Sequence, residues 1–299
     1  MAEPTARAAY LGYRAAAEVA RVFPPALTVP LAEAASRLYE AVNPARRAQV
    51  ARNLARVAGG PLDEDAERRA VHATFRWYGR YWWELFRLAA YDPGPLLDGF
   101  VLDGRDRLDA ALDGGRGAVI ALPHLGNWDL AGAWFAHQGY PVTAVTEPVE
   151  PPELFDWFVA TRARLGIRVI ALGPTAAQEV LHDLHEGRVV ALVCDRDITG
   201  DGVPVDFFGE TTTLPGGPAL LALRSGAPLL PAATYFDGDR GHRAELCEPL
   251  PAGREGRMRD DVTRVTQLLA HRFETLIRDA PEQWLMMQPN WPSDHPGAR

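Results

Sequence analysis

From Phe100 onward the chain alternates short apolar runs with segments of helical periodicity, and this alternation restricts the fold more than any other feature. Strands are expected at 117–122, 141–146, 167–171, 188–194, 203–208, 228–235 and 243–247. Helices are expected at 128–138, 152–165, 175–186, 217–225 and 260–279. Strands joined through helices must cross over before they pair, and crossovers make parallel ladders. A run such as Ala118–Leu122, apolar at every position, needs cover on both faces. The expected fold class is therefore α/β, a largely parallel twisted sheet flanked by helices. A chain of 299 residues, 47% hydrophobic, has material for one large core.

Upstream of Phe100 the periodicity is helical. Asn43-Pro44 offers an N-cap followed by proline at the first helical position, so a helix should start there. From Asp63 to Tyr91, Val71, Phe75, Tyr78, Trp82, Leu85 and Ala89 step by three and four, and Asp92-Pro-Gly-Pro95 should end that helix. The chain then divides into an N-terminal helical elaboration, residues 1–95, and an α/β core, residues 96–299, read as one continuous domain. Residues 1–58 carry eight arginines against four glutamates, opposite in sign to the net charge of −8 for the whole chain. Arg7, Arg14 and Arg21 recur every seven residues, near one helical stripe, with Tyr10, Leu11, Tyr13 and Phe23 among them. Two readings fit: packed helices with solvated arginines, or a membrane-facing element with its cations toward anionic headgroups.

In an open α/β sheet, ligands bind beyond the carboxyl ends of the strands. Three polar signals fall at such ends: His124, Glu147 and the run Asp195-Arg196-Asp197. Parallel strands should gather them along one edge. His124 is the candidate general base, since an imidazole takes and returns a proton near neutrality. Asp129, five residues on, or a carboxylate of the 195–197 run would fix its tautomer. Gly126 leaves room beside it for a substrate to approach the backbone. There is no G-x-S-x-G elbow, no phosphate-binding loop and no G-x-G-x-x-G fingerprint. Cys194 reads as a buried, inert thiol, and His182 with His185 lacks a third ligand, so neither a metal nor a cofactor is expected. The negative charge argues against nucleic acid as a partner. With no nucleophile or metal of its own, a histidine base most simply activates the hydroxyl of a second substrate.

His124-Leu-Gly-Asn-Trp-Asp129 resembles the His-x4-Asp/Glu motif of the glycerophosphate, lysophospholipid and lipid A late acyltransferases. Further blocks follow in the same order. Arg46–Leu54 and then Phe75–Trp83 resemble the leader, Asp195–Asp197 with Val205–Gly209 the second block, Pro218–Pro231 the third, and Pro281–Trp284 the closing segment. The resemblance covers most of the chain from about residue 40. Its wording at Val205–Glu210, and the lack of an apolar N-terminal anchor, are most similar to the actinobacterial phosphatidylinositol mannoside acyltransferase branch. It implies acyl-CoA as co-substrate, a mannose hydroxyl of a membrane glycolipid as acceptor, and direct transfer with His124 as base. It also implies peripheral attachment at the cytoplasmic face of the plasma membrane, through the N-terminal helices on an anionic surface. Under it, Asp129, Asp195 and Asp197 are the acids that orient His124. Arg162 and Arg164 hold phosphate, Glu147 binds acceptor hydroxyls, and backbone N–H groups near Gly126 stabilise the oxyanion. Phe207 and Phe208, with the 220–223 helix, wall the acyl chain. A thioesterase or lipid hydrolase, an acyltransferase on another glycolipid or lysophospholipid, and a non-catalytic lipid-binding protein share these residues and stay open as alternatives.

Overall fold

The computed structural model describes residues 3–23, 25–90, 97–238 and 241–295. Four helices come first: α1 (Glu3–Val22), α2 (Pro25–Val42), α3 (Pro44–Ala58) and α4 (Glu64–Ala90). The alternating part runs β1 (Phe100–Asp103), α5 (Arg105–Asp113), β2 (Ala118–Leu122), α6 (Trp128–His137), β3 (Val142–Thr146), α7 (Pro152–Arg164), β4 (Arg168–Ala171) and α8 (Ala176–His185). It continues with β5 (Val189–Val193), β6 (Val203–Phe207), β7 (Glu210–Leu214), α9 (Gly217–Ser225), β8 (Leu229–Asp237), β9 (Gly241–Leu246) and α10 (Met258–Arg278). Pro44 opens α3 as its sequence demands, and the Asp63 carboxylate accepts the Ala66 N–H to start α4. The stop expected at Asp92–Pro95, and the boundary at 95, lie outside the described residues.

Seven strands form one sheet in the order β1-β9-β8-β2-β5-β3-β4, with β8–β9 its antiparallel ladder and the rest parallel. Every residue of β2 is buried. Val119 and Ala121 join one core cluster with α8, α9 and α10, while Ala118, Ile120 and Leu122 join another with α5 and α6. Alternate side chains thus enter opposite layers, which is why the run carries no polar residue.

The expected strand 203–208 is present at Val203–Phe207, but outside the main sheet. It is β6, and it pairs antiparallel with β7 in a separate hairpin. Phe208 and Gly209 form its two-residue turn with φ of 55° and 74°. Two successive positive φ values are what a tight hairpin of this kind needs, and Phe is a poor residue to signal it. The elements β1, α5 and β7 have no counterpart in the sequence reading.

The N-terminal helices pack over the part of the molecule that carries α4. Between α1, α2 and α4 lies an apolar cavity of about 490 Å³, lined by Tyr13, Leu31, Tyr39, Tyr78, Trp82 and Phe86 among others. Leu11, Leu27, Leu31 and Leu38 of α1 and α2 are each more than half exposed. No helix among the described residues is long and apolar enough to cross a membrane.

Candidate active site at the carboxyl edge of the sheet

The ladder register builds the site. Leu122 of β2 is paired with Val193 of β5. Two residues beyond each, His124 and Asp195 face one another. The His124 ring donates from Nδ1 to Asp195 Oδ1 at 2.5 Å, and its backbone N–H donates to Oδ2 at 2.9 Å. The donor is assigned from the carboxylate, which can only accept. Trp284 Nε1 donates to the same Oδ2 at 2.7 Å. Asp195 is fully buried. Burial alone would raise its pKa, but the His124 charge and hydrogen bonds, together with Trp284, hold the carboxyl below its ordinary value. Nε2 of His124 makes no hydrogen bond among the described residues, and the side chain is 28% exposed. The imidazole is therefore gripped through one nitrogen and open through the other.

Asp129 is elsewhere engaged. It accepts from Tyr81 Oη at 2.7 Å and from Arg162 Nε at 2.8 Å, and it makes no hydrogen bond to His124. Arg162 is largely buried, with its guanidinium over the Phe158 ring. Burial opposes its charge, but Asp129 beside it keeps the pKa raised. Asp197 accepts the N–H groups of Gly200 and Gly202 and the Thr213 hydroxyl, so it shapes the following loop and not the imidazole. Glu147 is exposed and lies 3.4 Å from Arg196. Arg164 is exposed at the end of α7, with one guanidinium nitrogen 3.5 Å from Thr161 Oγ1. The strand ends of β2, β5 and β3 are neighbours in the sheet, so His124, Asp195–Asp197 and Glu147 do share one edge.

Gly126 serves another purpose than the one expected. Its φ is +62°, and a Cβ there would lie 2.3 Å from the Thr234 carbonyl oxygen. The backbone that approaches it is β8, and its own N–H donates to Gln283 O at 3.1 Å. That N–H is therefore already committed. Phe207 and Phe208 are also placed differently: both are buried against Trp284, and Phe207 stacks on Trp291 at 5.6 Å. They back the indole that holds Asp195 and do not wall an open channel. Leu221 and Leu223 belong to the same buried cluster. Cys194 is buried, and burial with the adjacent Asp195 charge pushes its thiol well up, which suits an inert residue.

Several participants stand in the motif blocks of the sequence but carried no expected role there. Trp284 is one, and Leu285 N–H donates to His124 O at 2.7 Å, so the C-terminal segment braces the motif from behind. Trp128 is another, its ring edge-on to His124 at 5.1 Å. From there Tyr81 lies 4.4 Å away and Trp82, which lines the apolar cavity, 5.4 Å beyond Tyr81. A chain of three ring contacts thus connects the base to the cavity.

A mostly parallel sheet flanked by helices carries an imidazole–carboxylate pair at its carboxyl edge, and an apolar cavity lies between α1, α2 and α4: the architecture is α/β, with a candidate reaction centre at the strand ends. The chain belongs to the family described as bacterial lipid A biosynthesis acyltransferase, whose model matches residues 4–293, and it is an acyltransferase. It is 42% identical over 287 residues to the phosphatidylinositol mannoside acyltransferase of Mycolicibacterium smegmatis, covering 95% of this chain and 91% of that protein. The protein of the same name from Mycobacterium tuberculosis is 43% identical over 252 residues, 82% of this chain and 77% of the other. The lipid A biosynthesis acyltransferase of Haemophilus influenzae is 26% identical over 185 residues, 61% and 56% of the two chains.

Proposed function

We propose that this protein transfers a long acyl chain from acyl-CoA to a mannose hydroxyl of a phosphatidylinositol mannoside. The names of its relatives support the acceptor class. The observation that carries the chemistry is the Asp195–His124 pair, which leaves Nε2 as the proton acceptor. Nε2 takes the hydroxyl proton, and the oxygen attacks the thioester carbonyl. The tetrahedral intermediate collapses with cleavage of the C–S bond, and coenzyme A leaves as a thiolate that recovers the proton from the imidazolium. Asp195 stabilises that imidazolium and keeps the ring in the reactive tautomer. No acyl-enzyme is formed. Asp129 acts through Arg162, whose cation it orients, and exposed Arg164 adds charge for phosphate of coenzyme A or of the headgroup. Glu147 and Arg196 offer polar contacts to sugar hydroxyls. The acyl chain occupies the cavity between α1, α2 and α4, a location that replaces the Phe207 and Phe208 walls.

The test uses palmitoyl-CoA with a mixed glycolipid extract and mass spectrometry of the products. A palmitoylated phosphatidylinositol mannoside, lost with His124→Ala in a folded protein, is the expected result. Release of free fatty acid at a rate independent of glycolipid would overturn transfer in favour of hydrolysis. A different acylated lipid would correct the acceptor.

A further inference from the structure

Opposite its cavity-lining side, α4 carries a second group that the proposed mechanism does not use. Glu84 is 2% exposed, and its carboxylate meets three donors from three segments. Arg80 Nε donates to Oε1 at 2.7 Å; Asn127 Nδ2 and His242 Nε2 donate to Oε2 at 2.7 and 2.9 Å. Burial opposes the charge, but His242 and Arg80 outweigh it and hold the carboxyl below its ordinary value, so the group is acceptor-only. Arg80 in turn donates to the carbonyls of Gly238 and Gly241 and lies over Phe236. His242 Nδ1 is buried and has no hydrogen-bond partner among the described residues. Asn127 is the hinge of the arrangement. Its Oδ1 accepts the Leu130 N–H and caps α6, while its Nδ2 is held by Glu84.

A buried ion pair is weak as a stabilising device, because desolvation offsets the attraction. Its location supplies a different account. Glu84 and Tyr81 stand three residues apart on one side of α4 and take hold of the His124–Asp129 turn at two points, Asn127 and Asp129. We propose that Glu84 is a positioning residue for acyl transfer: it fixes the turn through Asn127, and thereby the aim of His124. This rests on the function proposed above, and the experiment separates the two.

Glu84→Gln keeps the shape but turns one acceptor into a donor, so one of the three donors must face another. Asn127→Ser keeps a capping oxygen for α6 and deletes the contact to Glu84. Each should lower kcat about 10²-fold, the scale of a small misplacement of a reacting group, with KM for acyl-CoA within about threefold. The double variant should be no worse than either single one. His242→Gln, which retains an N–H toward Glu84, should preserve more activity than His242→Leu. Deuterium uptake at the 124–130 amides should quicken in both single variants. Unchanged kcat and uptake, a loss confined to KM, or additive effects would overturn the proposal, and Asn127→Ser decides if Glu84→Gln does not fold. Wild-type protein that transfers no acyl group would overturn the proposed function alone, since exchange reads the clamp without any reaction.

Discussion

Asp195 accepts three hydrogen bonds while fully buried, and two of them come from His124. Asp195→Asn would offer a donor as well as an acceptor to Nδ1 and favour the wrong tautomer. The expected loss in kcat is on the order of 10³-fold, with acyl-CoA binding preserved. Asp129→Asn should act otherwise, by freeing the buried Arg162 cation, and should raise KM as well as lower kcat. The carboxyl of Asp195 titrates below the ordinary 3.8. Its ionised form therefore contributes stability in full above that value and loses it as pH falls through the lower folded value. The gap in melting temperature between wild type and Asp195→Asn should accordingly narrow on acidification below about pH 4. A gap that widened there would remove Asp195 as an ionised partner. At Gly126, alanine would combine a positive φ with a Cβ against the Thr234 carbonyl, so the variant should be destabilised by about 2 kcal/mol or more in denaturant titration.

At the scale of elements, α4 divides the labour by face. Tyr78, Trp82 and Phe86 line the apolar cavity, and Tyr81 and Glu84 reach the motif turn. If the cavity holds the acyl chain, Ala32→Phe on its α2 wall should shift preference toward shorter donors. Each methylene that no longer fits costs about 0.8 kcal/mol, roughly fourfold in kcat/KM. An unchanged ratio between palmitoyl- and myristoyl-CoA would place the chain elsewhere. The central strands were legible because burial on both faces removes every polar residue from a run such as Ala118–Leu122. By contrast, β1 has Phe100 as its one buried residue, and α5 has only Leu108 and Ala111, so neither writes a periodicity. Asp195 and His124 were legible as members of one edge. Their pairing over Asp129 depends on the register Leu122–Val193, a relation between strands that local sequence does not carry. Trp284 and Glu84 lie 89 and 43 residues from the atoms they hold, and only the folded chain brings them in.

For the whole molecule, the distribution of charge and exposed apolar surface points one way. The net charge is −8, yet residues 1–58 are basic in balance. Exposed large hydrophobics concentrate on α1, α2 and Phe23 between them, with Val101, Leu172 and Ile198 the others among the described residues. Arg7 and Arg14 are exposed on α1, while the side chain of Arg21 lies outside the described residues. We propose that this end rests on an anionic membrane, apolar side chains inserted and arginines at the headgroups, so that a lipid acceptor and the acyl cavity meet at one surface. Arg7→Gln with Arg14→Gln should remove about 1 kcal/mol per residue, and vesicle affinity should fall roughly tenfold or more at low salt. That difference should shrink as salt shortens the screening length to about 8 Å at physiological strength. Leu27→Asn with Leu31→Asn should weaken binding to neutral and anionic vesicles alike, with little dependence on salt. Binding that ignored both pairs of substitutions, sedimented across the same salt series, would leave the N-terminal helices as packing elements and require the acceptor to enter by another face.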